Sequence, residues 1–218
     1  MSTFLELKTQ IADELEDPDL LTGGQIARAV KTAIRFYERK KLYFNSSVSL
    51  SFNTIAGQEY YGAADLAQIP YLISVDLMKA TLNGVKYDVV KVDPSLIDSS
   101  QSGTVVGTPP TNYAYVAQQI RLFGIPDDVY AITLSGATYR LADLAADADT
   151  NAWTTDAEEL IRQAAKRILM SDVTKELPPG SGATPAEMMA LDALRKETRL
   201  RMGSPPLRAL GRASRRER

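Results

Sequence analysis

The sequence predicts an α+β fold, a helical bundle built from N- and C-terminal helices with an inserted antiparallel β domain. Apolar residues recur at helical spacing in residues 1–44 and again in residues 141–202, whereas residues 45–140 alternate with a period of two. Nine of the ten tyrosines lie in or beside that middle region, and aromatic side chains suit a half-buried sheet. Residues 203–218 are predicted to form a flexible basic C-terminal arm.

Two helices are predicted in the N-terminal part. Thr3 and Glu6 have the spacing of a capping box, in which each side chain bonds the backbone amide of the other residue. The acidic, proline-containing stretch that follows ends this first helix. The second helix is predicted to open at Thr22 or Gly23 and to end near Leu42.

The second predicted helix carries four cations on one face. Arg28, Lys31, Arg35 and Arg39 follow one another at steps of three and four residues, which places them on the same side of a helix. The simplest interpretation is a solvated face. The alternative is a contact with another subunit or with nucleic acid.

The β domain contains a strong hairpin signal. The dipeptide Asn83-Gly84 favours a type I′ turn, between a strand that ends at Leu82 and a return strand from Val85 to Val92. Residues 93–110 are rich in Ser, Gly, Thr and Pro, and they predict a long loop with a short helical turn near its start.

Residues 108–140 predict a three-strand meander. Tyr113 and Tyr115 lie on its first strand and alternate with small residues. Pro126 presets the backbone angle needed at the second position of a turn, so a hairpin loop is predicted at residues 124–128, between the last two strands.

Two further helices are predicted after the β domain. Residues 155–158 form a second capping box before a helix that ends near Leu177, and residues 184–187 form a third box with a proline at the first helical position. Trp153 is predicted to be a buried anchor where the β domain and the helices meet. Met188, Leu191, Leu194 and Thr198 form the predicted apolar stripe of the last helix.

The C-terminal arm is predicted to be disordered by itself. Its only large apolar side chains are Leu207 and Leu210, each worth roughly 1.5–3 kcal/mol if fully buried. Ordering its backbone would cost about 1–2 kcal/mol per residue. Five arginines and one glutamate give the arm a charge of +4, which leaves −6 on residues 1–202.

The composition excludes several kinds of site. The chain has no cysteine and no histidine, which removes disulfides, thiol nucleophiles, zinc sites built from Cys or His, and imidazole-based triads. No phosphate-binding Gly-rich loop and no nucleophile elbow occur in the sequence. We therefore assign no catalytic residue, metal or cofactor. The sequence also predicts no membrane-spanning segment and no secretory signal.

Four segments, in this order, carry a resemblance to a known family: FLELKTQIADEL from Phe4, IRFYERKKLYFN from Ile34, YAYVAQQIRLFGIPD from Tyr113 and NAWTTDAEELIRQAAKRIL from Asn151. They resemble the head-to-tail adaptor proteins, also called head-completion or connector proteins, of short-tailed and related tailed phages. The resemblance covers about residues 1–175. It departs from the usual pattern at Gly124, where a proline is more common.

The resemblance implies a structural virion protein without enzymatic activity, made in the host cytoplasm and located at the head-tail interface. Its implied partners are the portal protein, a tail or nozzle protein, and further copies of itself in a ring, with twelve copies suggested by the portal. Genomic DNA would pass through the ring without sequence-specific binding.

Two groups of contact residues are predicted within this framework. The portal or subunit contact is assigned to Arg28, Lys31, Arg35, Arg39, Leu207, Arg208, Leu210, Arg212, Arg215 and Arg216. The tail or neighbour contact is assigned to Tyr113, Tyr115, Pro126 and Asp127.

Two other functions compete with this one. A DNA-binding accessory protein would use the basic helix face and the arginine-rich arm. A tail-associated cell-wall hydrolase would need two carboxylates that converge in a groove. The charge of −6 on residues 1–202 favours a channel through which DNA slides and disfavours a surface that wraps DNA, because phosphate binding normally needs a basic face.

Overall fold

The fold is α+β, as predicted, in a computed structural model that describes residues 2–47, 49–62, 71–100, 109–178 and 181–202. The helices are α1 (Phe4–Glu14), α2 (Asp19–Thr22), α3 (Gln25–Tyr37), α4 (Pro94–Ser100), α5 (Ala152–Thr155), α6 (Glu158–Asp172) and α7 (Pro185–Met202). The strands are β1 (Ser46–Ser47), β2 (Leu50–Asn53), β3 (Tyr60–Gly62), β4 (Leu72–Ser74), β5 (Leu77–Leu82), β6 (Val85–Lys91), β7 (Asn112–Val116), β8 (Gln119–Phe123), β9 (Ala131–Ser135) and β10 (Ala137–Tyr139). The arm at 203–218 lies outside the described residues.

The capping box of α1 is confirmed, since the side chains of Thr3 and Glu6 each accept from the other residue's amide. The second predicted helix ends at Tyr37, about five residues early. There the Asn45 side chain donates to the carbonyls of Glu38 and Lys40 and accepts from the amide of Leu42. It thereby takes backbone groups that a longer helix would have paired internally.

The capping box predicted at residues 155–158 is wrong. Asn151 caps the preceding short helix α5 together with Thr154, and α6 then begins after Ala157 without a side-chain cap. Thr155 is already inside α5, where its hydroxyl donates to the Asn151 carbonyl, so it is not available to cap α6.

The capping box of α7 is confirmed by the reciprocal bonds between Thr184 and Glu187. The predicted apolar stripe is wrong at Met188, which is 51% exposed. Glu187 is fully buried instead, and Leu194 lies on the same buried side. The predicted stripe is wrong here because Glu187 can be buried: its carboxylate has hydrogen-bond partners on two neighbouring helices.

Helices from both ends of the chain share one hydrophobic core. α3 packs against α6, and α1 packs against both. The buried side chains of this helical core include Leu7, Ile11, Ile26, Val30, Tyr37, Trp153, Leu160, Ile161 and Leu169. Trp153 packs edge-on against Phe44, with ring centroids 4.9 Å apart.

The β strands form a second core on one long sheet with the order β2-β9-β5-β6-β7-β8-β3. Phe52 and Tyr61 come from the two edge strands, yet their ring centroids are 5.4 Å apart. The sheet therefore curls until its edges approach each other. A smaller sheet with the order β1-β10-β4 connects this part to the helices.

The predicted three-strand meander is wrong beyond its first hairpin. β7 and β8 do pair, through Ala117 and Gln118, which both have positive φ. However, β8 pairs next with β3, while β9 pairs with β2 and β5. Residues 124–130 therefore connect β8, near one end of the strand order, to β9, near the other end, and they do not form a hairpin.

The sheet is antiparallel, as predicted, with one exception. β6 and β7 pair in parallel through Val90 with Asn112 and Lys91 with Tyr113. A parallel pair needs a crossover, and the connection that contains α4 supplies it. The predicted helical turn in this connection is confirmed by α4.

The type I′ turn is also confirmed, since Asn83 and Gly84 have φ of 51° and 80° between the paired strands β5 and β6. Gly84→Ala should lower the free energy of unfolding by about 1 kcal/mol, because a Cβ disfavours this left-handed conformation. Nothing lies within 4 Å of the added Cβ, so the loss would be conformational rather than steric. Urea denaturation would measure it, with Gly182→Ala, whose φ is not positive, as the control.

An ion pair joins the helical part to the β part. Arg140 follows β10, and its guanidinium donates two hydrogen bonds of 2.9 and 2.8 Å to the buried carboxylate of Glu38, next to the end of α3. Bidentate pairs of this kind set orientation as well as distance. The end of α3 is thereby linked to the β part.

Candidate interaction surfaces

The cations Arg28, Lys31 and Arg35 on α3, together with Arg39 two residues beyond its end, form what we call the basic face of α3. All four side chains are exposed, and none of them forms an ion pair with any described residue. The opposite side of α3 is buried in the helical core. The structure therefore brings together these four predicted residues as a solvent-facing stripe.

The local sequence leaves this stripe without acidic neighbours on its own element. Residues 20–37 contain no Asp or Glu, and the next acid, Glu38, is turned inward to Arg140. Asp143 shares the lining of one depression with Lys31 and Arg35, and Asp172 shares the lining of another with Arg28. The face keeps a local excess of positive charge.

The surface around the basic face is concave. One depression of about 320 Å³ lies between α3 and α6 beside Arg28, and another of about 500 Å³ is lined by Thr32, Arg35, Phe36, Arg39 and Lys40. Phe36 is 58% exposed there. An exposed aromatic ring among cations is a surface that suits a partner with both apolar and acidic groups.

A second surface lies at the far end of the curled sheet. We call residues 54–58 and 124–130 the β tip. Thr54 and Tyr130 exchange two hydrogen bonds, and the Thr54 hydroxyl donates to the carbonyl of Asp128. The amide of Gly57 donates to the carbonyl of Pro126. The two loops therefore form one rigid unit that joins the edges of the sheet.

The β tip is apolar and acidic. Val129 is 62% exposed and Ile55 is 48% exposed. Asp127 and Asp128 are exposed as well. The hydroxyl of Tyr130 donates to Asp127, and this hydrogen bond, together with burial, raises the pKa of Tyr130 to about 12. The tyrosine stays protonated at neutral pH and keeps Asp127 in place.

The predicted tail-contact residues occupy different environments. Asp127 is exposed in the β tip, whereas Pro126 and Tyr113 are buried. The hydroxyl of the half-buried Tyr115 donates to the Leu72 carbonyl, and burial raises the pKa of both Tyr113 and Tyr115. The two tyrosines therefore pack inside the β part and do not form an exposed pair.

The remaining predicted contact residues belong to the arm. Leu207, Arg208, Leu210, Arg212, Arg215 and Arg216 lie outside the described residues.

Sequence reasoning missed the exposed apolar side chains of both surfaces, Phe36, Ile55 and Val129. A signal existed for Phe36, because it interrupts the polar side of α3 next to Arg35. No comparable signal marks Ile55 and Val129, since they come together only when the two loops of the β tip meet.

Within the described ranges, no group of three or more acidic residues is arranged to hold a metal ion. Among the same residues, no helix is both long enough and apolar enough to cross a membrane.

Comparison with known protein families identifies a match for this chain. No curated protein matched the chain. The SU10 adaptor protein family matches residues 2–210, which is nearly the whole sequence. The resemblance to phage head-to-tail adaptors, stated on four segments of the sequence, is confirmed by this match. With nearly every residue covered by the match, the chain belongs to the SU10 adaptor protein family.

Proposed function

We propose that the chain is a head-to-tail adaptor that binds the portal vertex as an oligomeric ring, extends the DNA channel and provides the surface to which the tail attaches. The observation that carries the proposal is the family match over residues 2–210. The exposed basic face of α3 supports it, because exposed cations beside an aromatic ring on a rigid core form a ready contact surface for another protein.

We assign different contacts to the two parts of the chain that contain the two cores. Residues 1–44 and 141–202 would form a helical bundle on the portal side, and residues 45–140 would form an inserted β domain directed to ring neighbours and the tail. The shared helical core and the separate β core support this division. The charge of −6 on residues 1–202 suits a lumen over which DNA slides, since a basic wall would retain phosphates.

The direct test is attachment to particles. Purified protein is mixed with DNA-filled heads that carry the portal but no tail, and the product is imaged by electron cryomicroscopy. We expect a ring beneath the portal with twelve copies, matching the portal. Absence of added density at the portal vertex would refute the proposal, and clearing of a cell wall in a zymogram would favour the hydrolase alternative instead.

Deletion of residues 203–218 should leave a folded protein that attaches poorly to portal-containing heads. The arm has too few apolar groups for a core of its own, so its ordering would be driven by a surface that a partner supplies. Circular dichroism checks the fold, and co-sedimentation with heads measures attachment. Undiminished attachment of the truncated protein would contradict a role for the arm.

A DNA-binding accessory role is favoured by one observation, the exposed cations of α3. It predicts binding of duplex DNA that weakens steeply with salt. A gel shift at low salt distinguishes the two functions: the adaptor proposal expects no retarded band, whereas a band lost in an Arg28→Glu variant would support DNA binding.

A further inference from the structure

The basic face of α3 and the β tip are opposite in charge. The face lies in a stretch with no acid between residues 20 and 37. The tip is built from loops within residues 42–78 and 122–139, and neither of these segments contains a Lys or Arg. A contact between the two surfaces would bring exposed cations to the carboxylates of Asp127 and Asp128.

The two surfaces are also complementary in shape and polarity. The depression of about 500 Å³ beside α3 has Phe36 and two arginines in its lining. The tip projects Ile55 and Val129 from two loops that are bonded to each other, so little side-chain or loop ordering is lost on docking. Two exposed apolar side chains near Asp127 and Asp128 match a depression in which Phe36 lies among cations.

The two surfaces lie at different ends of the chain's architecture. The end of α3 is beside the Glu38–Arg140 pair, where the helical and β parts join. From this junction β2 leads away to Thr54, and β9 leads back from Tyr130. The tip therefore belongs to the end of the curled sheet that points away from α3, and a contact between them joins different molecules.

We propose that the β tip of one copy docks against the basic face of α3 in the next copy around the ring. This proposal rests on the proposed adaptor function and identifies the contact between ring neighbours. A contact between two different surfaces of the same chain is heterologous, and such a contact builds a ring when its rotation closes, as on a symmetric portal. The arm is the wrong occupant of the basic face because its own charge is +4.

Two charge-reversed variants of the full chain test the contact on portal-containing heads. The helix variant is Arg35→Glu with Arg39→Glu, and the tip variant is Asp127→Lys with Asp128→Lys. The matched control for the helix variant is Lys196→Glu with Arg199→Glu, two exposed cations of α7 that carry the same change of charge. Circular dichroism confirms that each variant is folded.

Each variant alone should attach at least tenfold less than the wild type, while the control attaches normally. A one-to-one mixture of the two variants should attach again. In the mixture, the unchanged tip of the helix variant meets the unchanged face of the tip variant, and the two reversed surfaces meet each other. Only a contact between tip and face predicts this mutual rescue.

Three results would overturn the contact while leaving the adaptor function intact. These results are attachment of both variants at the wild-type level, failure of the helix variant alone without rescue, and a mixture that still does not attach. Failure of the helix variant alone would show that the basic face binds the portal protein. Failure of the wild-type chain to attach would contradict the proposed adaptor function itself.

Crosslinking supplies a second measurement that does not depend on loss of binding. The chain has no cysteine, so single-cysteine variants have no background. Phe36→Cys and Val129→Cys proteins, mixed on heads and treated with a short bismaleimide, should form a crosslinked dimer that neither protein forms alone. In the control, Met189→Cys takes the place of Phe36→Cys, because the Met189 side chain is exposed on α7. Equal dimer in that control would contradict the assigned contact.

Discussion

Glu187→Ala should lower the free energy of unfolding by about 3–5 kcal/mol, the cost of removing one partner from a buried ion pair. The carboxylate is fully buried at the start of α7, where it accepts from the Tyr37 hydroxyl at 2.5 Å and from Arg167 Nε at 2.8 Å. Without it, the partly buried Arg167 guanidinium would lose its carboxylate partner and keep its hydrogen bond to the Ser181 carbonyl. Urea denaturation followed by circular dichroism measures the change.

Tyr37→Phe is the matched control, because it removes one hydrogen bond to Glu187 and keeps the ion pair. It should cost about 1.5–3 kcal/mol, the usual range for a bond to a charged group. A smaller loss in Glu187→Ala than in Tyr37→Phe would contradict the view that the ion pair secures α7.

The same carboxylate should make stability depend on acid pH. Burial alone would raise its pKa, but the hydrogen bonds from Arg167 and Tyr37 outweigh burial and bring the pKa of Glu187 below its ordinary 4.5. The folded pKa is thus the lower one, so the stabilisation is present above about pH 4.5 and is lost as the pH falls through the folded value. Glu187→Gln should flatten this part of the stability profile.

Trp153→Ala should lower the free energy of unfolding by about 3–5 kcal/mol, the range for truncating a buried aromatic residue. Trp153 is almost completely buried in the helical core and packs edge-on against Phe44. It is the only tryptophan, so the transition must be followed by circular dichroism and not by tryptophan fluorescence.

Trp153→Phe keeps an aromatic ring in the core and should lose clearly less than the alanine variant. Phe36→Ala provides the exposed comparison and should change stability by no more than about 0.5 kcal/mol. A Phe36→Ala loss as large as that of Trp153→Ala would show that Phe36 supports the fold rather than an interaction surface.

The candidate surfaces were only partly readable from the sequence. The spacing of Arg28, Lys31, Arg35 and Arg39 predicted one cationic face, and the structure places all four in solvent. Their role in binding remains a prediction. Of the residues assigned to the other surface, Tyr113 is buried. It alternates with small residues and so has the pattern of a strand, but the pattern does not say which face the sheet buries.

The sequence by itself determined the features that depend on a few neighbouring residues. The Thr3–Glu6 and Thr184–Glu187 caps and the Asn83-Gly84 turn are of this kind, because their hydrogen bonds and backbone angles are complete within about four residues. The alternation of helical and strand periods likewise predicted the α+β class.

Only the tertiary structure decided which distant segments meet. β9 pairs with β2 and β5 instead of its predecessor β8, Glu187 is buried because Tyr37 and Arg167 reach it from other helices, and the β tip forms where two loops join the edges of the curled sheet. Each of these depends on partners far apart in the chain, and local periodicity is the same for every strand order that buries the same face.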